Sequence, residues 1–135
     1  MVEHVFLDAE ACIALLKGRE GIRGRMAGFT NPFATTTPAL FEIYCGIEYY
    51  RKKGFSDIEI KSISKLNQLE IFSLDADAAR KASEIWAELK TSGNMIRIID
   101  ILIGAIILTK GHCTILSNDK HFDKIKGLNP VKYKI

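Results

Sequence analysis

The sequence predicts an α/β fold in which helices cover both faces of a parallel sheet. Short apolar or β-branched runs alternate with longer stretches whose apolar residues recur at helical spacing, and strands separated by helices are typical of parallel sheets. The 135 residues are too few for two independently packed cores, so we expect one domain over residues 1–135. A hydrophobic content of 47% and a charged content of 26% indicate a globular chain rather than a disordered one.

The first half of the chain is predicted to form two strands, each followed by helical structure. In chain order, the expected elements are a strand over 4–7, a helical segment over 11–16, a loop with a short helix over 17–28, a strand over 34–36 and a helix from Pro38 to about Lys53. Thr35 and Thr36 suit a pleated strand. Proline is accepted in the first turn of a helix, and Gly54 is a natural end for this one.

The second half repeats this alternation. The expected elements are a helix starting at the capping-box sequence 56–59, a strand over 69–72, a helix capped by Asp75 and stopped by Gly93, a buried helix over 99–110 stopped by Gly111, and a strand over 113–116. The helix after Asp75 has the clearest apolar period in the chain. Residues 99–110 are apolar on nearly every side, which indicates a buried helix.

Composition narrows the classes of protein to consider. The net charge of only +3 does not by itself indicate a nucleic-acid binder. The basic clusters at 51–53 and from Lys120 onward could hold phosphates, or could be solvated surface. The apolar block over 98–108 is shorter than the roughly 20 residues that cross a bilayer, and the N-terminus does not resemble a secretory signal. We therefore expect a cytoplasmic protein that does not bind membranes.

Cysteine and histidine do not indicate a zinc site. The three cysteines are widely spaced among apolar neighbours and are expected to be reduced core thiols: Cys12, Cys45 and Cys113. The three histidines lack the spacing of zinc ligands: His4, His112 and His121.

Four acids occupy positions that packing alone does not explain. Asp8 and Asp119 follow predicted strands at their carboxyl ends, where parallel sheets bind ligands, although Asp8 could simply cap a helix and Asp119 could belong to a turn. Glu42 lies in an apolar helix among small neighbours, or faces solvent. Asp100 lies in the most apolar helix, where an unpaired carboxylate would cost several kcal/mol, and Arg97, three residues earlier, could pair with it.

Together these acids predict a cluster of carboxylates on one edge of the sheet. Carboxylates in close contact repel one another and need a compensating cation, and oxygen ligands without thiolate or imidazole suit Mg²⁺ or Mn²⁺. Such an ion can bind a phosphodiester, generate hydroxide and stabilise the leaving oxygen, so the expected chemistry is hydrolysis of a phosphate ester. Gly104, one turn after Asp100, indicates that another element or a ligand approaches closely there.

The four acids and the residues around them resemble the PIN-domain nucleases. The matching segments, in order, are Phe6-Leu7-Asp8, Thr36-Thr37-Pro38-Ala39-Leu40-Phe41-Glu42, Asp100-Ile101-Leu102-Ile103-Gly104-Ala105 and Ile115-Leu116-Ser117-Asn118-Asp119-Lys120-His121-Phe122. With its small size and its closing sequence 122–128, the chain is most similar to VapC-type toxins of bacterial or archaeal toxin–antitoxin pairs. The resemblance covers essentially the whole chain.

The resemblance implies a three-layer α/β/α fold with a short, mostly parallel central sheet. It also implies an endoribonuclease toxin that depends on Mg²⁺ or Mn²⁺, forms a homodimer and is held inactive by a cognate antitoxin. The implied catalytic residues are Asp8, Glu42, Asp100 and Asp119. Asp8 and Asp100 would bind the metal ion directly, whereas Glu42 and Asp119 would bind it directly or through water.

Several positions depart from the family's pattern. Ala9 and Glu10 stand where such toxins usually have Thr followed by Ser or Asn, and the lost hydroxyl would weaken a hydrogen bond around the metal site. Glu10 either adds a fifth acid or faces solvent. His121 stands where many relatives have Asp, although it could also be a surface or turn histidine.

Two further groups of residues are candidates for binding surfaces. Four basic residues that follow the first helical segment are expected to contact RNA phosphates: Lys17, Arg19, Arg23 and Arg25. Four aromatic residues are expected to pack against the core or a dimer mate, or else to form a groove for an antitoxin helix: Tyr44, Tyr49, Tyr50 and Phe55.

Two other functions remain compatible with the sequence. The acids could belong to a catalytically inactive PIN-like module that binds nucleic acid or protein. Asp8-Ala9-Glu10 is also a near match to the Asp-x-Asp opening of small Mg²⁺-dependent phosphatases of the haloacid-dehalogenase type, although no convincing downstream lysine follows.

Overall fold

The computed structural model describes residues 2–54 and 60–135, with the backbone alone at 60 and 61, and these ranges form one sheet surrounded by helices. The strands are β1 (Val5–Leu7), β2 (Phe33–Thr36), β3 (Glu70–Phe72), β4 (Thr114–Leu116) and β5 (Asn129–Val131). The α-helices are α1 (Ala9–Leu16), α2 (Glu20–Met26), α3 (Thr37–Lys52), α4 (Ala76–Ser92) and α5 (Ile98–Thr109). Two 3₁₀ segments cover Ile60–Gln68 and Lys120–Lys124.

The five strands form one fully parallel sheet in the order β3-β2-β1-β4-β5. Every residue of β1 and β4 is buried, so both faces of the sheet are covered at its centre. In the register of β1 and β4, Leu7 lies opposite Leu116. The residues that follow these two strands therefore emerge side by side at the same edge. The predicted α/β fold with a covered parallel sheet is confirmed.

Local sequence explains where the long helices begin and end. Thr36 caps α3 by accepting a hydrogen bond from the Ala39 N–H, and Pro38 lies in the first turn. Asp75 caps α4 by accepting from the Ala78 N–H at 2.9 Å. Gly93 ends α4 at φ +74°, a left-handed conformation that favours glycine. The expected capping box at 56–59 lies outside the described residues.

Strand β5 is absent from the sequence-based expectations. It contains Pro130. Proline has no N–H to donate to a neighbouring strand, so its presence argues against an interior strand. The sheet accepts it because β5 is an edge strand that pairs only with β4. This edge strand has a consequence for the site, because it leads the C-terminal residues back past the carboxyl end of β4.

The expectation of three core thiols is wrong for two of them. All three cysteines are free, but only Cys12 is buried, whereas Cys45 is exposed and Cys113 is partly exposed. Cys45 lies on the solvent face of α3, where its apolar sequence neighbours do not decide its burial. The tyrosines of the same helix are also exposed rather than packed in the core: Tyr44, Tyr49 and Tyr50. Phe55 lies outside the described residues.

Within the described ranges, no helix combines the length and the apolar character needed to span a bilayer.

Candidate active site

The four predicted acids meet in one cavity of about 200 Å³ at the carboxyl edge of the sheet. Asp8 follows β1, Glu42 comes from α3, Asp100 comes from α5, and Asp119 follows β4. The complete lining consists of Asp8, Ala9, Glu10, Glu42, Arg97, Asp100, Asp119 and His121. Residues separated by more than a hundred positions in sequence are therefore brought together by the parallel register of β1 and β4.

Asp8 is 5% exposed and combines a structural contact with a place in the cavity. Its Oδ1 accepts a hydrogen bond from the Ala11 N–H at 2.8 Å, so it caps α1 as the alternative interpretation predicted. Its Oδ2 accepts a hydrogen bond from the Ser117 hydroxyl. Burial nevertheless raises the pKa of Asp8 to about 6, against the opposing effect of these two hydrogen bonds. The carboxylate is thus held rigidly in an environment that disfavours its charge.

Asp100 is 2% exposed and is bound by two side chains that can carry positive charge. Arg97 donates from Nε to Oδ2 at 3.3 Å and from Nη2 to Oδ1 at 3.2 Å. The Nδ1 of His121 lies 2.7 Å from Oδ2. The Arg97 partner expected from the sequence is confirmed, and these contacts make it possible to bury a carboxylate in an apolar helix.

Arg97 also joins Asp100 to Glu42. Its Nη2 lies 2.8 Å from Oε2 of Glu42, which is mostly buried and does not simply face solvent. The hydrogen bonds to Asp100 and Glu42 hold the pKa of the Arg97 guanidinium well above its usual range. No local sequence pattern indicates this bridge, because Glu42 and Arg97 are 55 positions apart.

Asp119 and His121 complete the cavity through a tight turn after β4. Asp119 accepts a hydrogen bond from the His121 N–H at 2.9 Å, and its own N–H donates to the Ser117 hydroxyl at 3.0 Å. The turn alternative for Asp119 is therefore correct, and the same turn carries its carboxylate into the site. His121 lies 3.5 Å from Asp119 through Nδ1 and is not an isolated surface histidine.

The arrangement fits a divalent cation. One ligand atom from each of Asp100, Asp119 and His121 lies within 4.8 Å of the others. Five acids line the cavity with one arginine and one histidine, so the site carries excess negative charge. The His121 imidazole lies at the same place, so a nitrogen ligand is available beside the oxygen ligands expected from the sequence. The carboxylates of the cavity suit Mg²⁺ or Mn²⁺, which prefer oxygen ligands.

Three of the four predicted basic residues line two neighbouring cavities. Lys17 and Arg19 line a cavity of about 330 Å³ that shares Glu10 with the acidic one. Arg25 lines a further cavity of about 540 Å³. Arg23 is not part of the lining of these three cavities.

The close approach expected at Gly104 is confirmed. A Cβ atom at this position would lie 2.8 Å from Cδ1 of Ile125 and 3.2 Å from Cδ1 of Leu128. The element that approaches α5 is thus the segment after Asp119, and not a ligand. Gly104 lets this segment pack tightly against the helix that carries Asp100.

Comparison with known proteins identifies the family. The PIN domain model matches residues 5–128, and no curated protein matches the chain. The fold is similar to that of a chain in the DNA-bound VapBC2 structure from Rickettsia felis, with 20% identity, coverage of 97% of this chain and 99% of that chain, and a TM-score of 0.80.

Two other solved structures extend the comparison. In the DNA-bound VapBC structure from Salmonella typhimurium the values are 24% identity, 98% coverage of both chains and a TM-score of 0.76. VapC20 of Mycobacterium tuberculosis, described as a toxin that cleaves the sarcin-ricin loop, matches at 16% identity and a TM-score of 0.62, over 88% of this chain and 92% of that one. Because the PIN domain model matches nearly the entire chain, the protein belongs to the PIN-domain family.

Proposed function

We propose that this protein is a VapC-type endoribonuclease toxin, a single cytoplasmic domain that hydrolyses RNA phosphodiester bonds with the help of Mg²⁺ or Mn²⁺. The observation that carries the proposal is the small cavity in which five acids face only one arginine and one histidine. Its membership of the PIN-domain family supports a nuclease, and the similarity to VapC20, a toxin that cleaves RNA of the sarcin-ricin loop, supports RNA as the substrate.

Each acid has a role that follows from its position. Asp8 and Asp100 are the most buried and would bind the metal ion directly, while Glu42 and Asp119 would bind it directly or through water. His121 would add a nitrogen ligand or orient Asp100. When bound, the ion would bind the phosphodiester, lower the pKa of a water molecule and stabilise the leaving oxygen.

The protein groups around the acids hold them in place for this chemistry. The Ser117 hydroxyl and the Ala11 N–H fix both oxygens of Asp8. A pKa of about 6 leaves Asp8 ionised at neutral pH. Arg97 offsets the repulsion between Glu42 and Asp100, and its half-exposed side chain can also reach a phosphate at the mouth of the cavity.

A cognate antitoxin and a second copy of the chain are the proposed protein partners. One of the matched structures, from Mycobacterium tuberculosis, is described as a member of the VapBC family of toxin–antitoxin systems, and a negative cavity would attract an Arg or Lys side chain of an inhibitor. Helix α3 exposes several aromatic side chains that would suit a dimer interface: Phe41, Tyr44, Tyr49 and Tyr50.

The decisive experiment is RNA cleavage by the purified chain, free of antitoxin, with Mn²⁺, with Mg²⁺ or with EDTA. We expect Asp8→Asn and Asp100→Asn each to reduce cleavage at least about 100-fold, as removal of a group that stabilises developing charge does in other enzymes. Asp77→Asn, an exposed acid of α4, is the matched control and should cleave like the wild type. Equal cleavage by all four proteins would refute the proposal.

The second candidate is a PIN-like module that binds without cutting. It is favoured by one observation: Arg97 already forms ion pairs with both Glu42 and Asp100 within the chain. RNA or protein binding without cleavage in Mn²⁺, at high protein concentration and over a wide panel of RNAs, would favour this candidate.

A further inference from the structure

We propose that the C-terminal segment 132–135 and the helices α1 and α2 form a basic groove that binds the RNA strand next to the acidic cavity. This inference rests on the proposed ribonuclease function and names the surface that would hold its substrate. The groove consists of the cavities of about 330 Å³ and 540 Å³, which share Tyr133 and Lys134 in their linings.

The groove carries charge opposite to that of the cavity beside it. Its linings include five basic residues and two acids: Lys17, Arg19, Arg25, Lys132 and Lys134, with Glu10 and Glu20. Glu10 also lines the acidic cavity, so the two surfaces adjoin. A strand whose scissile phosphate lies among the acids would place its neighbouring phosphates against these cations.

Asn118 ties the C-terminal segment to the active site. Its Nδ2 donates a hydrogen bond to the Tyr133 carbonyl at 3.0 Å, and its Oδ1 accepts from the Tyr133 N–H at 3.0 Å. The next residue is Asp119, whose carbonyl lies 3.5 Å from the Lys132 ammonium group. The C-terminal segment with its lysines therefore lies directly beside an acid of the site.

Gly21 brings the same segment against α2. A Cβ atom at Gly21 would lie 1.7 Å from the carbonyl oxygen of Lys134, so any side chain here would push the C-terminal backbone away. Two independent contacts, one at Asn118 and one at Gly21, thus hold Lys132–Lys134 along the groove. A solvated lysine-rich tail would need neither contact.

Tyr133 supplies an aromatic surface between the two cavities. Its side chain is half-buried, and burial together with the charges of Asp8 and Glu10 raises the pKa of its phenol above the usual range. A phenol hydroxyl is protonated at neutral pH and can donate a hydrogen bond. The ring can also stack on an unpaired base, an interaction that tolerates every sequence.

The test is binding of a fluorescein-labelled single-stranded RNA of twelve nucleotides, about the length that such a groove and its flanks can contact, measured in EDTA so that no cleavage occurs. For Lys132→Ala combined with Lys134→Ala, we expect about tenfold weaker binding. The plot of the logarithm of the association constant against the logarithm of the salt concentration should become less steep by about 1.4. Each phosphate contact to a single strand contributes about 0.7 to this slope.

The control removes the same charge elsewhere. Lys124→Ala combined with Lys126→Ala changes two exposed lysines that are not in the lining of the groove. This control should keep the wild-type slope. Tyr133→Leu should weaken binding at least about fivefold with no change of slope, because stacking is not ionic. Equal affinity and slope in the groove variant and the control would overturn the inference, and an acidic protein segment would then be the better occupant.

Cleavage in Mn²⁺ separates this inference from the function on which it rests. The groove variant should raise KM and leave kcat unchanged, because its lysines do not touch the reacting phosphate. A wild type that cleaves RNA, together with a groove variant that has an unchanged KM, would refute the groove but not the ribonuclease. A wild type that binds RNA through the lysines but cuts none would refute the ribonuclease and leave the groove in place.

Discussion

Polar side chains gather at both ends of the central sheet, but the two ends differ in charge. At the amino end, His4 lies 2.5 Å from Glu70 through Nε2, and its N–H donates to Nδ1 of His112 at 3.1 Å. The rings of His4, His112, Phe6 and Phe72 pack against one another at centroid distances of 5.1–5.5 Å. The Nε2 and the backbone N–H of His4 have partners, whereas its buried Nδ1 has none within the described part of the chain, and these groups are embedded in aromatic packing.

At the carboxyl end, acids outnumber cations. Asp8 and Asp100 are almost fully buried, and Arg97 is shared between Asp100 and Glu42. A protein selected for stability alone gains little from such a cluster, because buried carboxylates repel one another and desolvation offsets the attraction of each ion pair. The difference between the ends indicates that the amino end stabilises the fold, whereas the carboxyl end is arranged for a ligand. Four substitutions test this distinction.

The largest expected effect is that of Arg97→Ala in the absence of divalent cations. We expect the free energy of unfolding to fall by about 3 kcal/mol, because Asp100 loses one of its two partners while it stays buried. Mn²⁺ should restore most of this loss, and calorimetry should show tighter Mn²⁺ binding than in the wild type. Urea unfolding with and without Mn²⁺ measures both effects, and Arg97→Lys is the charge-preserving control. A loss that Mn²⁺ does not reduce would mean that Arg97 is purely structural.

Asp8 should make the protein less stable as the pH rises. Burial raises its folded pKa from 3.8 to about 6, so between these values the folded state keeps a proton that the unfolded state has lost. Stability therefore falls through this range, by about 3 kcal/mol in total, since each pKa unit corresponds to 1.36 kcal/mol. In EDTA, Asp8→Asn should remove this loss and be the more stable protein at pH 7.

The matched control for this pH experiment is Asp77→Asn, which changes an exposed acid of α4. Its curve of unfolding free energy against pH should follow that of the wild type. A pH dependence that is identical in Asp8→Asn and the wild type would show that Asp8 is not a charge held against the preference of its surroundings.

His112→Phe changes the amino end of the sheet and should reduce stability without changing catalysis. The substitution keeps a ring in the aromatic cluster but removes the acceptor of the His4 N–H, so we expect a loss of about 2 kcal/mol. RNA cleavage and the response to Mn²⁺ should not change. Burial lowers the pKa of His112, so the wild type loses stability as the pH falls below the unfolded value of 6.5, and the variant should lose less. A large decrease in kcat would show that the two ends are not independent.

The smallest expected effect is that of Glu10→Gln. Glu10 is exposed where it lines the site, and an exposed charge contributes under about 1 kcal/mol. The value of kcat/KM should therefore change by less than about fivefold. The charge of Glu10 contributes to the raised pKa of Asp8, so that pKa should fall in the variant. A loss as large as that of Asp8→Asn would make Glu10 a fifth member of the catalytic set.

Much of this architecture depends on short-range patterns and was therefore predictable. Strands β1 to β4, the caps at Asp75 and Gly93 and the buried helix α5 depend on apolar periodicity and on residues within one turn of each other. The convergence of Asp8 and Asp119 was also predictable, because residues that follow parallel strands emerge at the same edge of the sheet.

Only the tertiary structure decided how the charges are distributed among partners. The bridge from Arg97 to Glu42, the contact of His121 with Asp100 and the clamp of Asn118 on Tyr133 each join elements whose distance depends on packing. Strand β5 likewise exists because β4 offers an open edge, and its proline hides it from any local pattern. The amino-acid sequence determines which groups can ionise and where the chain turns. Which charged groups pair with one another depends on distances of a few ångströms that only the folded chain defines.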